Sequence, residues 1–342
     1  MKGFLALEDG TVFRGDSVGA EGAVSGEAVF TTGMAGYQEA VTDPSFSQQL
    51  VCFTAPMVGN YGVAEDRSES AQTHALAVLM REARGPEWTD WLTERGVVAL
   101  TGIDTRSLVL KLRESGAMRA VAVAGTTSVE EAVAAAASAP SMTGQALVHD
   151  VSTDEPYTYT ADGRTRVAVV DYGVKRSVLR RLAAAGAAVT VYPHDVDADE
   201  LAGYDGVLLS PGPGDPEPLV EETAVVRDLV GRTNVLGICL GHQLLALATG
   251  HETFKLPFGH RGANHPVLQR DTGRVLVTSQ NHGFAVRATG AKEATHVSLY
   301  DETVEGLAFP DLHARSLQFH PEAGPGPHDA WPLLEEWVSA LA

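Results

Sequence analysis

Apolar and polar positions follow two different patterns along this chain. Near the start, Phe4 to Phe13 forms two short extended runs joined by Asp9-Gly10, which predicts a β-hairpin. Residues 128–138 are rich in alanine and have helical spacing. A polar, irregular stretch follows from Pro140 to about Arg164. We therefore expect an N-terminal domain over residues 1–150, a linker over 151–164 and a second domain over 165–342.

From Thr165 the apolar residues come in continuous runs. The segments "RVAVVDYG", "AVTVYP", "DGVLLSPGPGDP" and "NVLGI" suit strands that are buried on both faces. Helical patterns separate them at Lys175–Gly186, with Gly186 as the expected C-cap, and at Leu219–Val230. This order predicts an α/β fold with a mostly parallel sheet and helices on both faces. Ligands collect at the carboxyl ends of such strands, where the glycine-rich stretches 212–214 and 237–241 fall.

Composition and charge narrow the class of protein. A chain of 342 residues with 44% hydrophobic and 20% charged residues is expected to be globular and to form two domains. It has no apolar run of about 18 residues, and its first residues lack the apolar segment of a signal peptide. Two cysteines do not make a disulfide framework, so we expect a cytoplasmic protein. The net charge of −19 argues against nucleic acid and anionic membranes as partners.

Cys239 lies where the strand "NVLGI" meets a helix-like run. The sequence Gly237-Ile238-Cys239-Leu240-Gly241 has the form of a nucleophile elbow, in which the flanking glycines remove side chains that would clash. The helix N-terminus favours the thiolate, and the Leu240 N–H points to where an oxyanion would form. A buried structural cysteine is the alternative, and it is the interpretation we adopt for Cys52 in "LVCFTAP". The C-x-x-H spacing of Cys239 and His242 lacks a second ligand pair, so we predict no metal site.

A thiol nucleophile needs a general base, and His320 in "FHPE" is the candidate. Glu322 lies two residues later, so in an extended chain its carboxylate is on the same side as the imidazole. Pro321 keeps His320 out of the helical region. The carboxylate would fix the tautomer and stabilise the imidazolium. A structural histidine is the alternative, and the pairing with an elbow cysteine favours the catalytic one.

"GICLGHQ" with a distant "HPE" resembles the class I glutamine amidotransferases. The segments 36–62, 102–118, 258–267, 281–286 and 319–334 resemble the small, glutamine-hydrolysing subunit of carbamoyl-phosphate synthase. The resemblance covers nearly the whole chain and implies a class I amidotransferase domain preceded by a smaller α/β domain specific to that subunit. It implies that Cys239 is the nucleophile, His320 the base and Glu322 its partner. The glutamine-binding residues that it implies are Ser45, Gly212, Gly214, Leu240, Gln243, Asn281, Gly283 and Phe284. Pro211 departs from the family, in which many members carry asparagine.

The chain contains no phosphate-binding GxxxxGKS loop, so we expect ATP chemistry to take place elsewhere. The resemblance implies a separate large subunit that uses ATP and Mg²⁺, with no cofactor in this chain. In that arrangement the ammonia from L-glutamine passes through a tunnel to the large subunit, where carbamoyl phosphate forms for arginine and pyrimidine synthesis. A heterodimer is expected, and a higher oligomer of heterodimers is compatible with the resemblance. The alternatives are the glutaminase of another synthase, a γ-glutamyl hydrolase and a catalytically silent regulatory subunit.

Overall fold

The structure is a computed structural model that describes residues 2–288 and 290–341. The chain divides into two compact units. The first contains the described residues up to Met142 together with Pro257–Arg261, and the second contains Thr143–Leu256 with the described residues from Gly262 onward. Among the described residues, no helix is long and apolar enough to cross a bilayer.

The first unit is a closed barrel with helices around it. Its strands follow the order β1-β2-β6-β5-β4-β3-β7, in which β3 to β6 pair in parallel and the other pairs are antiparallel. The strands are β1 (Lys2–Leu7), β2 (Val12–Ser17), β3 (Gly22–Thr31), β4 (Gln49–Phe53), β5 (Ala77–Leu79), β6 (Val98–Thr101) and β7 (Met118–Ala124). The helices are α1 (Tyr37–Thr42), α2 (Pro86–Glu94), α3 (Thr105–Ser115) and α4 (Val129–Ser138).

Two predictions for this unit are confirmed. The hairpin of β1 and β2 turns at Gly10, whose φ of 87° suits glycine, and the Thr11 N–H donates to Asp9 Oδ1 at 3.0 Å. The alanine-rich segment is α4, which begins with a capping box formed by Ser128 and Glu131. Cys52 is fully buried in the barrel core, and burial raises the pKa of its thiol to about 12.

The second unit is a sheet with the order β14-β13-β15-β16-β17-β12-β11-β9-β10-β8. Strands β10, β9, β11, β12 and β17 pair in parallel, as the continuous apolar runs predicted. The strands are β8 (Tyr157–Thr160), β9 (Thr165–Val170), β10 (Ala187–Tyr192), β11 (Gly206–Leu209), β12 (Asn234–Ile238), β13 (Glu252–Gln269), β14 (Val275–Arg287), β15 (Ala294–Ser298), β16 (Val304–Phe309) and β17 (Ala314–Leu317). The helices are α5 (Arg176–Ala184), α6 (Ala198–Leu201), α7 (Val220–Leu229), α8 (Leu240–Ala248) and α9 (Trp331–Ala340).

Both faces of the parallel strands are buried. On β9, Ala168 and Val170 pack into a core with α6, α7 and α8. Val167 and Val169 face the opposite core, which contains side chains of α5 and α9. This alternation explains why the strand is apolar throughout rather than at every second residue.

The two units are not two uninterrupted stretches of the chain, and the sequence pattern did not indicate this. The predicted linker, 151–164, lies within the second unit, where Tyr157–Thr160 forms the edge strand β8 beside β10. The middle of β13, Pro257–Arg261, belongs to the first unit. There the Ala117 N–H donates to the Pro257 carbonyl at 2.7 Å, and the rings of Phe30 and Phe258 stack 5.9 Å apart. Five residues from late in the chain thus complete the packing of the first unit.

Candidate active site

Cys239 occupies a strained turn between β12 and α8. Its backbone has φ 52° and ψ −103°, a conformation that side-chain-bearing residues rarely adopt. A Cβ on Gly237 would overlap the Gly241 carbonyl, and one on Gly241 would overlap the Leu209 carbonyl of β11. The two flanking glycines are therefore required by the closeness of the backbone, as the elbow pattern predicted. The Cys239 sulfur is buried at the N-terminus of α8, 3.6 Å from the carbonyl oxygen of Asn281.

His320 and Glu322 make the predicted contact. His320 Nδ1 lies 2.7 Å from Glu322 Oε1, and both side chains are almost completely buried. The His320 N–H donates to the Ser279 carbonyl at 2.9 Å, which fixes the backbone against β14. The Trp331 indole N–H donates to the Glu322 carbonyl at 3.1 Å. The carboxylate therefore orients the ring with Nδ1 towards Glu322 and leaves Nε2 for a second partner.

Lys175 is a charged member of this cluster that the sequence pattern did not reveal. Its Nζ lies 2.6 Å from Glu322 Oε1, and the two side chains are 3% and 0% exposed. Lys175 immediately precedes α5, at the carboxyl end of β9, and a lysine at the start of a helix is ordinarily solvated. The sequence feature that could have identified Lys175 was its position after β9, at the same end of the parallel strands as Cys239.

The charges in this buried cluster depend on one another. Burial would raise the pKa of Glu322, but the Lys175 ammonium and the His320 imidazolium lower it to about 2. Burial and Lys175 both favour the neutral form of His320, yet Glu322 and Cys239 outweigh them and raise its pKa to about 10. His320 Nε2 is buried and makes no hydrogen bond to any described residue, and the nearby Cys239 sulfur is one cause of the raised pKa of the ring. At neutral pH the ring is an imidazolium between a carboxylate and the sulfur.

The loop that follows β11 approaches other backbone closely. A Cβ on Gly212 would overlap the Tyr172 carbonyl, and Gly214 has a φ of 91°. A Cβ on Gly214 would also lie 2.6 Å from the Gln145 carbonyl. Only glycine fits both positions, so the backbone is the part of this loop that can serve a ligand.

The remaining candidates of the second unit lie on α8 and β14. Leu240 is the first residue of α8, so its N–H has no partner within the helix. The Gln243 side-chain amide donates to the Phe284 carbonyl at 2.8 Å and to Gln318 Oε1 at 3.2 Å. Gln243 thereby ties α8 to the β14 segment that contains Asn281, Gly283 and Phe284.

Ser45 and His242 complete the list of residues that the sequence singled out. Ser45 lies in the first unit, in a 3₁₀ turn over Pro44–Phe46, where its N–H donates to Asp43 Oδ1 at 2.9 Å. Its buried hydroxyl has no hydrogen-bond partner in the described part of the chain. His242 Nδ1 lies 2.7 Å from Ser316 Oγ, and burial lowers the pKa of the ring to about 3. His242 is therefore a neutral ring packed against a hydroxyl.

Comparisons with known proteins cover both units. The family model "Glutamine amidotransferase class-I" matches residues 168–339, and "Carbamoyl-phosphate synthase small chain, CPSase domain" matches residues 5–122. Curated relatives named "Carbamoyl phosphate synthase small chain" are similar over their whole length. The relative from Xanthomonas campestris pv. campestris is 45% identical over 99% of this chain and 97% of its own. The relative from Syntrophotalea carbinolica is 43% identical over 100% of this chain and 98% of its own. The relative from Listeria monocytogenes serovar 1/2a is 45% identical over 99% of this chain and 97% of its own.

Proposed function

This chain belongs to the carbamoyl phosphate synthase small-chain family and is its glutamine amidotransferase subunit, and we propose that Cys239, His320 and Glu322 carry out the hydrolysis of L-glutamine. The observation that supports this assignment is the buried cluster itself. The sulfur of a strained cysteine at a helix N-terminus lies beside an imidazolium whose other nitrogen is held by a carboxylate at 2.7 Å. This combination supplies a nucleophile, a proton donor and a group that orients the donor.

The reaction proceeds in two steps. The Cys239 sulfur attacks the side-chain amide carbon of glutamine as a thiolate, whose proton is already on His320, and a C–S bond forms. The C–N bond then breaks, and the leaving nitrogen takes the proton from His320 and departs as ammonia. The now neutral His320 accepts a proton from water, which attacks the thioester carbon. The C–S bond then breaks, glutamate leaves after its new carboxyl group has lost a proton to solvent, and the Cys239 thiolate is restored beside the His320 imidazolium. Glu322 stays ionised throughout and keeps His320 Nδ1 protonated.

The backbone around the sulfur supplies the other half of the chemistry. The N–H of Leu240, which has no partner within α8, and a backbone group of the Gly212–Gly214 loop bind the oxygen of each tetrahedral intermediate. The glutamine itself is bound by Gln243, Asn281, Gly283 and Phe284 around the start of α8. The assignment of Ser45 to glutamine binding rests on the family resemblance alone.

The partner of this chain is a large subunit that uses ATP and Mg²⁺ to make carbamoyl phosphate from bicarbonate and the ammonia. Ammonia in water at neutral pH is mostly ammonium, which is not a nucleophile, so a closed route to the partner preserves the reactive form. We place this heterodimer in the cytoplasm, and the hydrolysis of glutamine in this chain uses no cofactor.

The test compares Cys239→Ser with Cys52→Ala, each assembled with the large subunit. Cys239→Ser is expected to abolish carbamoyl phosphate synthesis from glutamine and to retain synthesis from ammonia. Cys52→Ala removes a thiol from the barrel core and is expected to retain both activities. If Cys239→Ser uses glutamine as the wild type does, the catalytic assignment is wrong.

A further inference from the structure

Two histidines and a glutamate converge at a place in the second unit that has no role in the hydrolysis. His149 lies in a 3₁₀ turn over Leu147–Asp150, His194 follows β10, and Glu222 lies in the first turn of α7. Glu222 Oε1 is 2.9 Å from His194 Nδ1 and 3.3 Å from His149 Nε2. The two imidazole rings stack with centroids 4.5 Å apart and an angle of 11° between their planes. Three segments that are distant in sequence thus bring one ligand atom each within 4.8 Å of one another.

The spacing of these atoms suits a divalent transition metal. All three ligand atoms lie within 4.8 Å of one another. A tetrahedral zinc ion with bonds of about 2.1 Å holds its ligand atoms about 3.4 Å apart. The distances from Glu222 Oε1 to the nitrogens of His194 and His149, 2.9 and 3.3 Å, are near this value. Two imidazole nitrogens and one carboxylate oxygen form a ligand set that zinc uses when its fourth position holds water.

Burial and charge around the cluster support the same interpretation. The Glu222 side chain is 5% exposed, whereas that of His149 is 56% exposed, so the cluster has a fixed inner ligand and an open outer side. Asp171 is close enough to interact electrostatically with His194, although burial raises the pKa of its carboxyl group. The Asp171 carboxylate is held in place by the N–H groups of Gly173 and Val174. A cation that enters from the exposed side would therefore meet a buried carboxylate at the inner end of the cluster.

We propose that His149, His194 and Glu222 form a binding site for a divalent metal ion of the zinc class, with water in the remaining coordination position. The residues just before His149 pack against the glycine loop after β11. The Gly144 N–H donates to Asp215 Oδ2 at 2.8 Å, and the Asp215 N–H donates to the Gln145 carbonyl at 3.0 Å. A bound ion would join this segment to β10 and α7 and thereby hold the loop that contains Gly212 and Gly214.

The test is titration calorimetry with Zn²⁺ on the full chain. All proteins carry Cys239→Ser, because a reactive thiol also binds zinc. We expect His149→Ala to lose one equivalent of zinc, or to bind that equivalent at least ~10-fold more weakly, because one of three ligands is removed. Glu222→Gln keeps the size of the side chain and removes its charge, and we expect the same loss. The control is His313→Asn, an exposed histidine in a left-handed turn that asparagine tolerates, and it should bind zinc as the parent does.

Thermal unfolding provides a second readout. Zn²⁺ should raise the unfolding temperature of the parent and of His313→Asn, and should raise that of His149→Ala less, because ligands stabilise the state that they bind. Zinc stoichiometry and affinity that are unchanged in both His149→Ala and Glu222→Gln would overturn the proposal. That outcome would leave the glutaminase assignment intact, because none of these residues takes part in it.

Discussion

The ion pair between Lys175 and Glu322 makes a quantitative prediction about the active-site cluster. Lys175→Met removes the ammonium that lies 2.6 Å from Glu322 Oε1 and keeps a flexible side chain of similar length in the buried space. Glu322 is then left with His320 as its charged partner, while its Oε2 already has no hydrogen bond from the described residues. We expect the second unit to become less stable because a buried carboxylate loses one of its two cationic neighbours.

The magnitude follows from the pKa of Glu322. The difference between the ordinary value of 4.5 and about 2 corresponds to roughly 3 kcal/mol of stabilisation of the carboxylate in the folded state. Lys175 and His320 share this stabilisation, and the Coulombic attraction of Lys175 is its largest single part. Removing Lys175 also relieves its repulsion of the His320 imidazolium, so Lys175→Met should cost about 1–2 kcal/mol at pH 7. Because the folded pKa is lowered, the contribution is present above about pH 4.5 and is lost as the pH falls towards 2, so the difference from wild type should shrink over that range.

Native-state hydrogen exchange measures the change in stability of the second unit separately from that of the first unit. Peptides from residues 314–330 report the opening free energy around Glu322, independently of the first unit. The same substitution at Lys2, whose ion pair with Asp16 is exposed, serves as the control and should leave the stability unchanged. A loss of less than about 0.5 kcal/mol at pH 7 for Lys175→Met, or a loss that does not depend on pH between 4.5 and 3, would show that Lys175 does not stabilise the Glu322 carboxylate.

Three further predictions concern the same site. Gly241→Ala places a Cβ against the backbone of β11 and should lower the free energy of unfolding in urea by about 1–3 kcal/mol. Gly203→Ala is the control, because a Cβ there would have no atom within 4 Å, and it should leave the free energy of unfolding unchanged. Equal stability of the two variants would contradict the close packing at the elbow. Gln243→Leu removes the amide that holds the Phe284 carbonyl at 2.8 Å, so the KM for glutamine should rise about tenfold and by more than kcat falls. The difference in stability between wild type and His320→Asn should be largest below pH 6.5 and should decline as the pH rises towards 10, because folding raises the pKa of His320. A difference that stays constant across this range would argue against a charged His320 ring.

The sequence predicted the second unit better than the first. Continuous apolar runs identify β9 to β12 because strands buried on both faces have no polar side to confuse the pattern. The hairpin of β1 and β2 and the helix α4 were predicted from local signals, a turn glycine and a cap. The closure of β7 onto β1 and the parallel pairing of β3 to β6 are contacts between distant residues, which no local pattern encodes.

The same distinction applies to the active site. Cys239 was recognisable because its turn requires glycines at fixed positions, and the contact between His320 and Glu322 follows from their spacing of two residues. Lys175 is 147 residues before Glu322, and nothing adjacent to it marks it as buried. Its role depends on which strand ends meet in the sheet, and that arrangement is known only from the fold.

The contribution of β13 to the first unit limits how this chain can be divided or exchanged with others. A fragment that stops at Met142 has no Pro257 carbonyl for the Ala117 N–H and no Phe258 ring against Phe30. Such a fragment would expose an unpaired donor and an apolar ring, so it should aggregate or misfold rather than behave as a transferable module. An exchange of residues 1–142 as one contiguous segment would therefore leave out part of the first unit, and a working exchange has to include Pro257–Arg261 as well.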